Sequence, residues 1–350
     1  FEKKHQRIDW DATAAEKIVY PDFMLMEMYS QPSTVRETIG TRVTAGAPTR
    51  VDGLDFTAAQ LQNLHQIYII GCGTAMHAGL AAKPMFEHLT HIPTQVDVAS
   101  EFRYRDPLVD DRTLCIFISQ SGETADTIAA LRLAKAAGAA TLAVSNVIGS
   151  SITREADYTV YTHAGPEIAV ASTKAYTAQV VLLAVLANHF AELLGLGAGV
   201  AADLKAELLE LPSLIEETLK CAPQVKAFAD KIHRETDVFF IGRGSDYTTS
   251  LEASLKLKEI SYIHSEAYPS GELKHGPIAL IEKGTTVIGT ITDPALVDKS
   301  VSNLKEVITR GAKVLVVTNR EVRASDSATL IRVPVTHPML APAVSYLPFH

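Results

Sequence analysis

Around residue 120 the chain gathers three hydroxyls about one glycine. In FISQSGETADTIAALRLAK (117–135) an apolar run ends at Ile118 and leads through Ser119, Gln120, Ser121, Gly122 and Thr124 into a helix-forming stretch. The start of a helix presents unpaired N–H groups and a partial positive charge, so an anion can be held there without a lysine. Gly122 permits close backbone approach, and the Ser119, Ser121 and Thr124 hydroxyls can donate to phosphate oxygens. The same residues are also ordinary helix caps, and Ser121 or Thr124 acting only as a cap is the alternative. Placement at the carboxyl end of a parallel strand favours a ligand, because open α/β sheets bind there.

A second group lies in SLEASLKLKEISYIHSEAY. Glu252, Lys256 and Glu259 are spaced i, i+4 and i+7, which puts them on one helical face. On spacing alone the commoner meaning is a solvated salt-bridge ladder. His275, in the turn-like GELKHGP, would ordinarily be a solvated loop side chain. GCGTAMHAG is a poor dinucleotide fingerprint, because Met76 stands where a third glycine belongs, and GRGSDY fails in the same way. A tight strand-to-helix turn accounts for these glycines, with Thr74 placed to line a nearby pocket.

Positioning these residues requires a sheet. Apolar runs rich in Ile, Val, Phe and Tyr (QIYIIG, TQVDVA, TLCIFIS, ATLAVSN and YTVYT, then DVFFIG, TTVIGTI, KVLVVTN and TLIRVPV) alternate with helical stretches. That pattern predicts α/β folding, with parallel sheets covered by helices on both faces. The halves also resemble each other: YIIGCGTAMHAGL aligns with FFIGRGSDYTTSL, and AKAAGAATLAVSN with ITRGAKVLVVTN, at offsets of 171 and 173 residues. Near-equal offsets indicate a duplicated domain. The repeat breaks where ISQSGETAD faces ITDPALVD, with Pro294 and two acids, so an anion site is expected in the first copy only. The expected organisation is a linker and helical arm over 1–50, a first domain over 51–195, a connecting segment over 196–225 and a second domain over 226–350.

The 350 residues are 47% hydrophobic and 21% charged, with a net charge of −8. This is a globular composition whose acidic balance argues against nucleic-acid or anionic-membrane surfaces. Cys72, Cys115 and Cys221 are too scattered for a disulfide framework or a zinc site, which fits a reducing cytoplasm. The N-terminus lacks a signal-peptide core, and no apolar run is read as long enough to span a bilayer.

Taken together, GCGT, ASEFRYR, SQSGETADT, VASTKAYT, EISYIHSEAY and GELKHGP resemble the isomerase part of the glutamine:fructose-6-phosphate aminotransferase family, over nearly the whole chain and in order. The resemblance implies two tandem sugar isomerase (SIS) domains, each a three-layer α/β/α unit. It implies that Ser119, Gln120, Ser121 and Thr124 hold the phosphate of fructose 6-phosphate, with Thr74 nearby, and that Val170 and Ser172 line the sugar site. Ala75 stands where the family usually has Ser. The resemblance marks Lys256 and Glu259 as active-site groups, with Glu259 as the base that moves a proton between sugar carbons C1 and C2; a cation such as Lys256 beside it could stabilise charge developing on the enediol or enamine oxygen. His275 would catalyse ring opening in the active site of the neighbouring subunit, which implies a homodimer.

The family needs no metal or organic cofactor, and its glutaminase domain is not in this chain, so glutamine hydrolysis is not expected of it. A family tail carrying a Schiff-base lysine would follow APAVSYLPFH, and Lys174 and Lys274 are not at its position, so the second domain is expected to be truncated. The implied reaction converts fructose 6-phosphate and ammonia to glucosamine 6-phosphate. The alternatives are a related sugar-phosphate deaminase or isomerase without a glutaminase domain, and a non-catalytic sugar-phosphate sensor.

Overall fold

The computed structural model describes residues 20–325 and 328–350. Positions 1–19, read above as linker, lie outside the described residues. One compact unit extends to Leu209 and the second comprises Glu210–His350; the division falls within the helix Val200–Leu219.

The first unit is built on β1 (Gln66–Gly71), β2 (Thr94–Val98), β3 (Thr113–Ser119), β4 (Ala140–Ser145) and β5 (Tyr158–Tyr161). The second is built on β6 (Asp237–Gly242), β7 (His264–Pro269), β8 (Thr286–Ile291), β9 (Lys313–Thr318) and β10 (Thr329–Arg332). The sheet orders are β2-β1-β3-β4-β5 and β10-β9-β8-β6-β7, every pairing parallel, so the two units share one topology. Every residue of β3 and of β8 is buried, as expected of central strands covered on both faces. β7 was not among the strands read from apolar runs. Its sequence HSEAYP pairs on one side only, at the sheet edge, where polar residues are tolerated.

In each unit the first strand turns into a helix, Thr74–Thr90 or Ser245–Ser261, through a glycine with positive φ: Gly73 at 54° and Gly244 at 57°. The G-x-G pairs therefore serve the turn. The arm residues form two helices, Phe23–Tyr29 and Gln31–Ile39, and the second packs on the helix Lys174–Leu193. That 20-residue helix corrects one expectation. By length and composition it is apolar enough to cross a membrane, with a mean hydropathy of 1.2, but 83% of the apolar window is buried inside the protein. It packs along Thr74–Thr90 as a core helix.

Candidate functional site

In the first unit the chain steps from β1 to β2 on one side and to β3 on the other, so a crevice opens beyond the carboxyl ends of β1 and β3. Thr74, Ser119, Gln120, Ser121, Thr124 and Ser172 line a cavity of about 210 Å³ there. Val170 does not line it; the side chain is fully exposed. Ala75 is part of the wall and contributes a methyl group where a serine would contribute a hydroxyl.

The β3 loop is shaped by its own hydroxyls. Ser119 Oγ accepts the Gly122 N–H at 3.0 Å and lies in hydrogen-bond contact, 3.0 Å, with Thr124 Oγ1, either hydroxyl being able to donate. Ser121 Oγ accepts the Glu123 N–H at 3.2 Å. The loop carbonyls are tied into the next loop: Gln120 O accepts the Asn146 N–H at 3.1 Å and Gly122 O accepts the Ile152 N–H at 3.0 Å. Thr124 occupies the N-cap position of the helix Ala125–Ala136, yet its side chain makes no cap hydrogen bond. The alternative of a simple cap therefore fails for Thr124, and the helix start stays open to an anion.

Among the described residues no Lys or Arg lines the cavity, so a bound anion would rest on hydroxyls and on the helix N-terminus. Asp126, in the first turn of that helix, would repel an anion; Arg103 holds its carboxylate at 2.7 Å.

Ser172 belongs to a loop fastened by two carboxylates. Glu27 Oε1, from the arm, accepts the N–H groups of Ile168 and Ala169 at 2.6 and 3.2 Å. Glu167 accepts the Ser172 hydroxyl at 2.9 Å and the N–H groups of Thr173 and Ala175 at 2.9 and 3.1 Å, capping the helix Lys174–Leu193. Burial raises the Glu27 carboxyl above its ordinary range, while the two N–H groups oppose that shift. The next helical turn brings in Gln179, a cavity residue that the sequence reading did not identify. Its one available signal was an amide beside the apolar run VVLLAVLA of that helix.

The second unit holds the charged ladder. Lys256 is 1% exposed, with its ammonium 2.5 Å from Glu259 and 3.5 Å from Glu252. Glu252 is fully buried and accepts the Tyr346 hydroxyl at 3.4 Å, whereas the Glu259 side chain is 41% exposed. A solvated ladder is thus excluded for Glu252 and Lys256: the structure shows one buried cation holding one buried and one accessible carboxylate. Burial and the Lys256 charge push the His350 imidazole down to about 3, so it is neutral. His275 is exposed at the end of the 3-10 turn Ser270–His275, and the ion pairs of Lys256 do not include it.

The crevice corresponding to the first unit's cavity lies beyond β6 and β8, and here an internal acid takes the donors. Asp246 aligns with Ala75 and accepts the Thr292 N–H at 2.8 Å and the Thr292 hydroxyl at 2.5 Å. Burial pushes its carboxyl up to about 6.

The SIS domain family model matches residues 60–189 and 231–346. The chain is 51% identical over 344 residues to glutamine–fructose-6-phosphate aminotransferase (isomerizing) from Clostridium tetani, an alignment covering 97% of the chain and 57% of that protein. It is 47% identical to the enzyme of the same name from Thermus thermophilus, covering 97% and 56%. The chain thus spans a little over half the length of these curated relatives. Among solved structures, the C-terminal domain of glucosamine-fructose-6-phosphate aminotransferase from Francisella tularensis superposes with a TM-score of 0.90 at 38% identity, covering 95% of each chain. The chain belongs to the SIS-domain family, and within it to the isomerase half of the glutamine–fructose-6-phosphate aminotransferases.

Proposed function

We propose that this chain binds fructose 6-phosphate and, with ammonia, converts it to glucosamine 6-phosphate and water. The observation that carries the reading is the buried Lys256 ammonium 2.5 Å from the accessible Glu259 carboxylate, a paired base and cation on one helix. Phosphate binding by Ser119, Gln120, Ser121, Thr124 and Thr74 is supported by the open helix start and the hydroxyl-lined cavity. Ammonia adds to the C2 carbonyl and water leaves, giving an imine. Glu259 then takes a proton from C1 and returns it to C2, so that C1 becomes the aldehyde and C2 keeps the nitrogen. Lys256 stabilises charge on the intermediate while the proton is on Glu259. His275 opens the sugar ring, acting in the site of a second copy within a homodimer, and ammonia comes from a glutaminase domain. Free Cys72, Cys115 and Cys221 support a cytoplasmic setting.

The test follows solvent deuterium entering fructose 6-phosphate at C1, with product read by phosphorus NMR in the presence of ammonium. Glu259→Gln is expected to bind the sugar phosphate with nearly unchanged affinity and to slow exchange by about 10²–10⁴-fold. Exchange at the wild-type rate removes Glu259 from this role.

A further inference from the structure

Gln179 projects from the second turn of the helix Lys174–Leu193 and is 2% exposed. It lines the same cavity as the β3 loop hydroxyls. Its Oε1 is buried with no hydrogen-bond partner among the described residues. Native proteins seldom leave a buried amide oxygen unsatisfied, because the group loses water and gains nothing in return. The neighbouring wall does not relieve it: Ala75 supplies only a methyl, and the Ser172 hydroxyl is spent on Glu167. An acceptor of this kind does not suit the phosphate, since a carbonyl oxygen repels an anion's oxygens. It suits a hydroxyl donor carried on the same molecule.

We propose that Gln179 is a specificity-determining residue whose side-chain carbonyl accepts a hydrogen bond from a hydroxyl of the bound sugar, so that the cavity selects a polyhydroxylated phosphate ester over phosphate itself. The proposal rests on the sugar-phosphate reading of this cavity. The hydroxyl loop supplies affinity for the phosphate in it, and Gln179 supplies the discrimination.

Calorimetric titration of the full-length wild-type protein and of Gln179→Met, a substitution of similar length without the acceptor, separates these contributions. The probes are inorganic phosphate, fructose 6-phosphate and a set of its mono-deoxy analogues. Wild type is expected to prefer fructose 6-phosphate to inorganic phosphate. The variant is expected to lose about tenfold in affinity for fructose 6-phosphate and nothing for inorganic phosphate. One deoxy analogue is expected to bind wild type about tenfold more weakly and to bind the variant no worse than fructose 6-phosphate does.

Equal affinity of wild type and variant for fructose 6-phosphate overturns the proposal, as does a parallel loss for both fructose 6-phosphate and inorganic phosphate. If wild type binds none of the probes, the sugar-phosphate reading itself fails and the role of Gln179 falls with it. Should Gln179→Met not fold, the wild-type side-chain amide resonance of Gln179 decides. It is expected to shift with fructose 6-phosphate and not with inorganic phosphate, and a shift common to both probes overturns the assignment.

Discussion

Gly122 turns the β3 loop at φ +68°, a conformation that L side chains rarely adopt, and the space beside it is taken. A Cβ built there would lie 2.0 Å from Ser150 Oγ and 2.5 Å from Ser150 Cβ, so rotating the hydroxyl alone does not relieve the overlap. Gly122→Ala is expected to destabilise the first unit by about 2–4 kcal/mol, the sum of backbone strain and overpacking. It should also displace Ser119 and Thr124, weakening binding of phosphorylated sugars. Urea unfolding with a parallel fructose 6-phosphate titration checks both; a stable variant with full affinity would show that the turn is not needed. This glycine and the hydroxyls around it were legible in the sequence because their chemistry is local: six consecutive residues define the loop. Gln179 was not, because membership of the cavity is decided by how its helix packs beside Thr74–Thr90, and one amide among apolar neighbours carries no local pattern.

At the scale of elements, one short segment does more than its length suggests. The arm helix Phe23–Tyr29 is only seven residues long, yet through Glu27 it fixes the backbone at Ile168 and Ala169, within the loop that ends at Ser172. Charge-assisted hydrogen bonds of this kind contribute about 1.5–3 kcal/mol. Glu27→Ala is therefore expected to speed hydrogen exchange at the Ile168 and Ala169 amides by about 10- to 100-fold, with β3 amides unaffected. Unchanged exchange would mean that Glu167 alone holds the loop. The sequence indicated a helical arm in FMLMEMYSQPSTVRETI, but which of its polar residues points inward depends on the surface it meets. The polar edge strand β7 escaped notice for a related reason: His264, Ser265 and Glu266 form no apolar run, and only pairing with β6 makes them a strand.

Across the whole molecule, one topology is used twice, and the corresponding positions of the two copies carry different side chains. The duplication was visible in the near-constant offset between the halves, and the loss of the hydroxyl loop in the second copy was visible at ITDPALVD. How the second crevice is occupied was not, since Asp246 and Thr292 are 46 residues apart and meet only in the fold. The Asp246 carboxylate now takes the Thr292 N–H and hydroxyl in the crevice that corresponds to the first unit's cavity. This internal acid has a pH signature whose sign follows from linkage. Its folded pKa of about 6 lies above the unfolded 3.8, so between those values the folded state binds a proton that the unfolded state does not. Its contribution to stability therefore rises as pH falls from 6 towards 3.8, and is constant outside that window.

Asp246→Asn removes the titration, and its loss of one acceptor adds an offset that does not vary with pH. Carboxylates that do not interact with Asp246 are common to both proteins and cancel in the difference; Asp293, whose charge helps to raise the Asp246 carboxyl, is a coupled neighbour. Urea unfolding of both proteins from pH 7 to pH 3.5 should show wild type gaining on the variant as pH drops, by on the order of 3 kcal/mol in all. A difference that stays flat across the window would mean that folding leaves the Asp246 carboxyl at its unfolded 3.8, with the cost of burial offset by the hydrogen bonds of Thr292 and its neighbours.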